Sequence, residues 1–268
     1  MIDLHAHILP GIDDGAGDEE AALSMLQMAA KDGTKHIVAT PHYIHGIINN
    51  NKPVVCEKVR LLNEKLQKSD IDIQIYPGSE VFICPEIPRL LDMDEICTLN
   101  HSSYILIELP MMSIPPYTKE IIYQVRLRGK VPIIAHTERN QQIANDPNKL
   151  YELIEMGALS QVNASSIKGI FGKKVREAAY TLLRHNMVHF ISSDAHNCRG
   201  RSPKMGKIRE VIQSEFGSRT AACLFKQNAW AVLNDKPLDI PDPERVVNKH
   251  NYIIPFFASW IAKFQGKA

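Results

Sequence analysis

The chain lacks most of the features that sort a protein quickly. Its 268 residues carry a formal net charge of +1, so no strong field points to nucleic acid or to an anionic membrane. The five cysteines, Cys56, Cys84, Cys97, Cys198 and Cys223, are odd in number, form no Cys-x-x-Cys and are not clustered. That excludes a disulfide framework and reads as a reducing compartment. No run approaches the roughly 20 apolar residues that a membrane span needs. The nearest, YIIPFFASWIA over 252–262, is short and broken by Pro255. Asp3 and His5 interrupt any apolar core of a secretion signal, so the expected location is cytoplasmic. No Gly-x-Gly-x-x-Gly follows the first apolar run, which leaves a dinucleotide-binding fold without support.

What is present is an alternation of short apolar runs with helical patterns. MIDLH reads as a strand, and Asp18-Glu19-Glu20 opens a helix with acids in its first turn, where the helix dipole favours them. HIVAT, IDIQIYPG, YILIEL, VPIIAH, ALSQVN and VHFISSD read as six further strands, each followed by a helical stretch. Most are apolar on both faces, as expected of a parallel sheet covered by helices. Seven β-then-α units fit either an open doubly wound sheet or a closed barrel. A Pro/Asp-rich stretch, NDKPLDIPDPE, separates a body over 1–240 from a tail over 241–268 that is expected to be helical.

The polar residues within this apolar pattern share one location. His5 and His7 end the first strand, His42 follows the second, Glu80 the third, Glu108 ends the fourth and His136 the fifth. Asn163 ends the sixth, and Asp194 and His196 end the seventh. All fall at the carboxyl ends of strands, the face on which barrel active sites lie. Side chains at i and i+2 of an extended chain point the same way, so His5 and His7 can share one ion. Asp194 and His196 can do the same if their segment stays extended. With Asp14 the set holds five histidines and four carboxylates, too many for one tetrahedral site and suited to two or three ions with bridging carboxylates. Imidazole and carboxylate donors fit Mn²⁺, Fe²⁺ or Zn²⁺. The other six histidines (His36, His45, His101, His185, His189 and His250) read as structural or surface residues.

DLHAHILPGIDDG, ATPHY, GSEV, ELP, AHTERN and SSDAH, in this order, resemble the polymerase-and-histidinol-phosphatase (PHP) superfamily. Within it they are similar to the manganese-dependent bacterial protein-tyrosine phosphatases that accompany capsule and exopolysaccharide tyrosine kinases. The resemblance covers roughly residues 1–235. It implies an α/β fold, a distorted (β/α)₇ TIM-like barrel of the PHP type, with a trinuclear centre. It also implies that His5, His7, Glu80 and Asp194 hold one ion. Glu80 would bridge to a second, held also by Glu108 and His136. Asp14, His42 and His196 would hold the third, while Asp13 only shapes the turn. Arg139 and Arg201 would grip the substrate phosphate through their planar donor forks, with Arg199 close enough to stand in for Arg201. His42 or His196 would protonate the leaving phenol. The implied partner is a phosphotyrosine-containing protein, in particular a cognate bacterial tyrosine kinase.

The rivals are weighed on the same residues. A cysteine-based phosphatase needs Cys-x₅-Arg, but the residues six after the five cysteines are Leu62, Leu90, Ser103, Lys204 and Ala229. Histidinol-phosphate phosphatase is the alternative within the superfamily. A non-catalytic phosphotyrosine-binding module is expected to have lost ligands, and none is lost here. In the tail, Phe256, Trp260 and Phe264 recur every four residues. That stripe reads as a helix packing on the body or on a second copy in a homo-oligomer, or as a peripheral membrane or kinase-docking element.

Overall fold

The structure is a computed structural model that describes residues 1–247. Its strands are β1 (Ile2–Ala6), β2 (His36–Ala39), β3 (His42–Ile44), β4 (Ile48–Asn49), β5 (Gln74–Pro77), β6 (Glu80–Phe82), β7 (Tyr104–Glu108), β8 (Val131–Ile134), β9 (Leu159–Asn163) and β10 (Phe190–Ser192). They form an α/β fold with two sheets, ordered β1-β2-β5 and β10-β9-β8-β7-β6-β3-β4. All pairings are parallel except the β3–β4 hairpin, which the sequence reading did not anticipate.

The second and third apolar runs are each followed by a further short strand. β2 gives way to β3 at Thr40-Pro41, where proline has no N–H to donate. β5 gives way to β6 at Gly78-Ser79. Pairing nevertheless continues on both sides of the breaks, β2 with β5 and β3 with β6. The two sheets meet again at the opposite edge, through an isolated parallel bridge between Ala6 and Ala195. There Asp194 N donates to His5 O at 2.8 Å and His7 N to Ala195 O at 2.9 Å.

Local chemistry sets the helices. Asp18 caps Glu19–Lys31, accepting from Ala21 N at 2.8 Å, and Gly33 takes φ 95° just beyond its end. The spacing of Ala22, Met25, Leu26 and Ala29 puts all four on one buried face. Asn51 and the early Pro53 start the next helix at Lys52, four residues before the expected Cys56. Between the sheets, Ile2, Leu4, Val38, Leu106, Ile133 and Phe190 form one apolar cluster. A further helical run from Ser218 to Leu233, absent from the sequence reading, adds Ala229, Val232 and Leu233 to it. Each fully buried aliphatic side chain here contributes roughly 1.5–3 kcal/mol.

Residues 241–247 have no regular structure but lie against the body. Glu244 N donates to His185 O at 2.8 Å, and Val246 exchanges two hydrogen bonds with the Asn148 side chain. Phe256, Trp260 and Phe264 lie outside the described residues. Among the described residues no helix is long and apolar enough to cross a membrane.

Candidate metal centre

β1 delivers two imidazoles to one point. His5 Nε2 and His7 Nε2 lie 3.2 Å apart, at 3.3 and 3.2 Å from Glu80 Oε2 and both at 3.5 Å from Asp194 Oδ1. The two-residue spacing makes them neighbours, but a second feature decides which way they face. Ile2 and Leu4 belong to the apolar cluster between the sheets, whereas Ala6 and Ile8 pack with Met25 and Leu26 of the first helix. The alternation flips at a register shift between Asp3 and Ala6 in the β1–β2 pairing. Without that shift both histidines would turn into the helix layer.

The remaining candidates converge on the same place. Glu80 Oε1 is 2.9 Å from His136 Nε2, and Glu80 Oε2 is 3.1 Å from His42 Nδ1. Glu108 stands 3.5 Å from His136 Nε2 and 3.8 Å from His42 Nδ1. Asp14 Oδ1 lies 3.2 Å from His196 Nε2 and 3.4 Å from His42 Nε2. Three groups of donor atoms each fall within 4.8 Å: His5, His7 and Glu80; His42, Glu80 and Glu108; and His7, Asp14, His42 and His196. Asp194 does not stay extended, because its φ is 50°, and His136 has φ 31°. Such left-handed backbone costs a non-glycine residue about 1–3 kcal/mol. Even so, His196 Nδ1 comes within 3.5 Å of Asp194 Oδ1.

Behind these residues stands a supporting layer that sequence reasoning largely missed. Gln161 Oε1 faces His5 Nδ1 at 3.1 Å and accepts from His136 N at 3.1 Å. Its Nε2 donates to Asn163 Oδ1, and Asn163 Nδ2 donates to Asp194 Oδ2 at 2.6 Å. Asp13 does more than shape the turn. Oδ1 accepts from Gly15 N, while Oδ2 accepts from His42 N and faces His7 Nδ1 at 2.7 Å. A proton on each of these Nδ1 atoms leaves both Nε2 lone pairs free for a cation. Gly15 is required by contact: a Cβ there would collide with the His7 carbonyl oxygen and sit 2.5 Å from His7 Cβ. The signal for Gln161 was its place two residues before Asn163 on the same strand, one step deeper in the site.

Arg139 Nη1 is 3.2 Å and Arg201 Nη2 2.8 Å from opposite oxygens of Asp194. Arg139 also lies over the Phe171 ring at 4.4 Å. Arg199 is exposed, and its one described hydrogen bond runs from its backbone N–H to Asn197 Oδ1. Geometry thus separates Arg201 from Arg199.

The donor set passes a direct test for a bound cation. His42 Nδ1 and His196 Nε2 are buried and make no hydrogen bond among the described residues, although carboxylate oxygens stand 3.1 and 3.2 Å away. Lone pairs held close to carboxylates but not aligned for hydrogen bonding suit a shared metal ion. The family pattern described as capsular polysaccharide synthesis, CpsB/CapC, matches residues 1–234. The chain belongs to the CpsB/CapC family. It is 38% identical over 257 residues to tyrosine-protein phosphatase YwqE of Bacillus subtilis, covering 96% of this chain and 100% of the relative. It is 30% identical over 240 residues to tyrosine-protein phosphatase CpsB of Streptococcus agalactiae, covering 88% and 99%. Among solved structures it is similar, with TM-score 0.89 and 38% identity over 92% of this chain and 100% of the other, to one described with YwqE and CpsB as unique metal-dependent tyrosine phosphatases.

The electrostatics of this CpsB/CapC chain follow from crowding carboxylates around buried imidazoles. Burial alone would discharge His7, but Asp13 and Glu80 outweigh it and push its pKa up to about 10. His5 and His136 are raised against the same burial, chiefly by Glu80 and Asp194. Glu80 and Asp194 are held well below the usual carboxylate range, despite burial, by the surrounding histidines. Burial and the neighbouring Glu80 charge raise Glu108 to about 7. His196, buried beside His7, falls to about 4. A divalent ion balancing the negative charge on Glu80 and Asp194 would displace the protons that this charge holds on His5, His7 and His136.

Proposed function

We propose that the chain is a metal-dependent protein-tyrosine phosphatase. The observation that carries this reading is the convergence of nine nitrogen- and oxygen-donor side chains beneath two arginines. His5, His7, Glu80 and Asp194 would hold one ion, Glu80, Glu108 and His136 a second, and Asp14, His42 and His196 a third. Hard oxygen and imidazole donors favour Mn²⁺, with Fe²⁺ or Zn²⁺ able to replace it. When bound, such ions lower the pKa of water and neutralise phosphate charge.

The chain's own residues supply the rest. Arg139 and Arg201 offer charged N–H donors that can transfer from Asp194 to phosphate oxygens. Phe171 places its ring 4.4 Å from the Arg139 guanidinium carbon, a cation–π contact that helps hold the side chain in place. Of the two roles read for His42, ligand and proton donor, the geometry supports the ligand, because both ring nitrogens face carboxylates. Water remains free to protonate a phenolate of pKa about 10. The substrate would be a phosphotyrosine protein, in particular a cognate bacterial tyrosine kinase in the cytoplasm. We further read the fold as a distorted (β/α)₇ barrel over residues 1–240. Continuous pairing through β2/β3 and β5/β6, together with the Ala6–Ala195 bridge, supports closure.

The test compares turnover of a phosphotyrosine peptide and of histidinol phosphate. Activity is expected on the peptide, to be lost in chelator, restored by Mn²⁺ and unaffected by thiol alkylation. Full turnover in a chain shown by metal analysis to be stripped overturns the metal reading. Faster turnover of histidinol phosphate overturns the substrate reading.

A further inference from the structure

Away from the strand ends, the fold assembles a second group of ligand atoms that is invisible in the linear sequence. Cys56 lies in the helix Lys52–Leu66, and Cys97 and His101 lie four apart in the segment before β7. The expectation that no cysteines cluster is corrected here: Cys56 Sγ, Cys97 Sγ and a His101 ring nitrogen lie within 4.8 Å of one another, with Cys56 Sγ 4.0 Å from His101 Nε2. We propose that Cys56, Cys97 and His101 form a second metal site, for a thiophilic ion of the zinc class, separate from the centre at the strand ends.

Three observations support it. Two thiols and an imidazole supply three of the four donors of a tetrahedral zinc site, whereas the strand-end centre has no sulfur. The two sites therefore sort ions by softness. Next, the backbone that presents His101 is unusual. Asn100 and His101 are consecutive non-glycine residues with φ 50° and 58°, a conformation that L-residues avoid. Asn100 Nδ2 anchors the excursion by donating to Leu233 O at 2.9 Å. Finally, access and charge are suitable. Cys97 is buried, but Cys56 is half-buried and His101 exposed, so an ion can enter. The charged groups nearby are Lys52 and Asp94, paired with each other at 2.6 Å, so water would complete the fourth position. The bound ion would tie the helix to the segment before β7, a structural cross-link in place of a disulfide.

The test uses the full Mn²⁺-loaded chain, reduced and without oxygen, titrated with Co²⁺. Thiolate-to-cobalt charge transfer absorbs in the near ultraviolet and cannot arise from nitrogen and oxygen donors. Wild type is expected to develop this band up to one Co²⁺ per chain and to lose it when Zn²⁺ is added. Cys56→Ser should lose the band, and His101→Ala should weaken cobalt binding roughly ten-fold or more. Both positions are accessible enough for folding to survive, checked by circular dichroism. Turnover with Mn²⁺ should stay within about two-fold in both variants, as expected for distant independent sites. No band in reduced wild type, or a band that survives both substitutions unchanged, overturns the proposal.

Discussion

His7 and His189 are both buried histidines, and they respond to burial in opposite ways. His7, at the carboxyl end of β1, is raised to about 10 because Asp13 and Glu80 outweigh desolvation. His189, just before the amino end of β10, is lowered to about 4 by burial, and its Nδ1 lone pair accepts from Ser160 N at 3.0 Å, which also favours the neutral ring. Its Nε2 finds no hydrogen-bond partner among the described residues. The same side chain at opposite ends of the sheet is thus a prospective ligand in one place and a neutral core residue in the other. Burial does not make a metal site; the carboxylates gathered around it do.

The largest effect that would break this contrast comes from Asp194, which touches both arginines and three histidines. Asp194→Ala should lower kcat/KM on a phosphotyrosine peptide by a factor on the order of a thousand or more. Near-normal turnover would remove the strand-end centre from the chemistry. The other end is tested by pH. His189 binds its proton more weakly folded than unfolded, so stability should fall as pH drops from about 6.5 toward 4, by about 3 kcal/mol in total. The His189→Gln variant should lose that part of the slope in urea unfolding measured across this range. An unchanged slope would show that His189 is not the titrating group.

Smaller effects sharpen the comparison around the ligands. Arg201→Ala should cost roughly a hundred-fold in kcat/KM, whereas Arg199→Ala should cost less than about two-fold. Equal losses would mean that geometry has misassigned the phosphate grip. Asp13→Asn keeps the turn's size but weakens its hold on His7, and should reduce Mn²⁺ affinity about ten- to a hundred-fold. Calorimetric titration of the stripped chain would show whether affinity moves at all.

Much of the centre was legible because each candidate sits beside a strand that its own apolar run announces. His42, Glu80, Glu108 and His136 could be placed on one face from strand order alone. The parts that escaped depend on contacts between distant segments. The parity flip in β1 is a property of its pairing with β2 and leaves no mark in IDLHA. Gln161 reads as an ordinary strand residue until His5 and His136 come to lie beside it. Asp13 and Asp14 are chemically identical neighbours; only folding buries one against His7 and leaves the other 60% exposed toward His42 and His196. Cys56 and Cys97 belong to different elements, so no spacing rule joins them. The β3–β4 hairpin was hidden because HIVAT and the residues after it read as one strand and a loop.

The Ala6–Ala195 bridge also bears on how the protein is made. It joins the first strand to the segment after the last, and the proposed ligands come from both sides of it. A chain emerging from the ribosome exposes His5 and His7 early and Asp194 and His196 only after most of the sequence has been translated. Contacts of such long range form late in folding. The early histidines therefore spend much of synthesis without Asp194, open to whichever ion the cell holds in excess. Ion identity would then be selected when the Ala6–Ala195 bridge forms and geometry first distinguishes one cation from another.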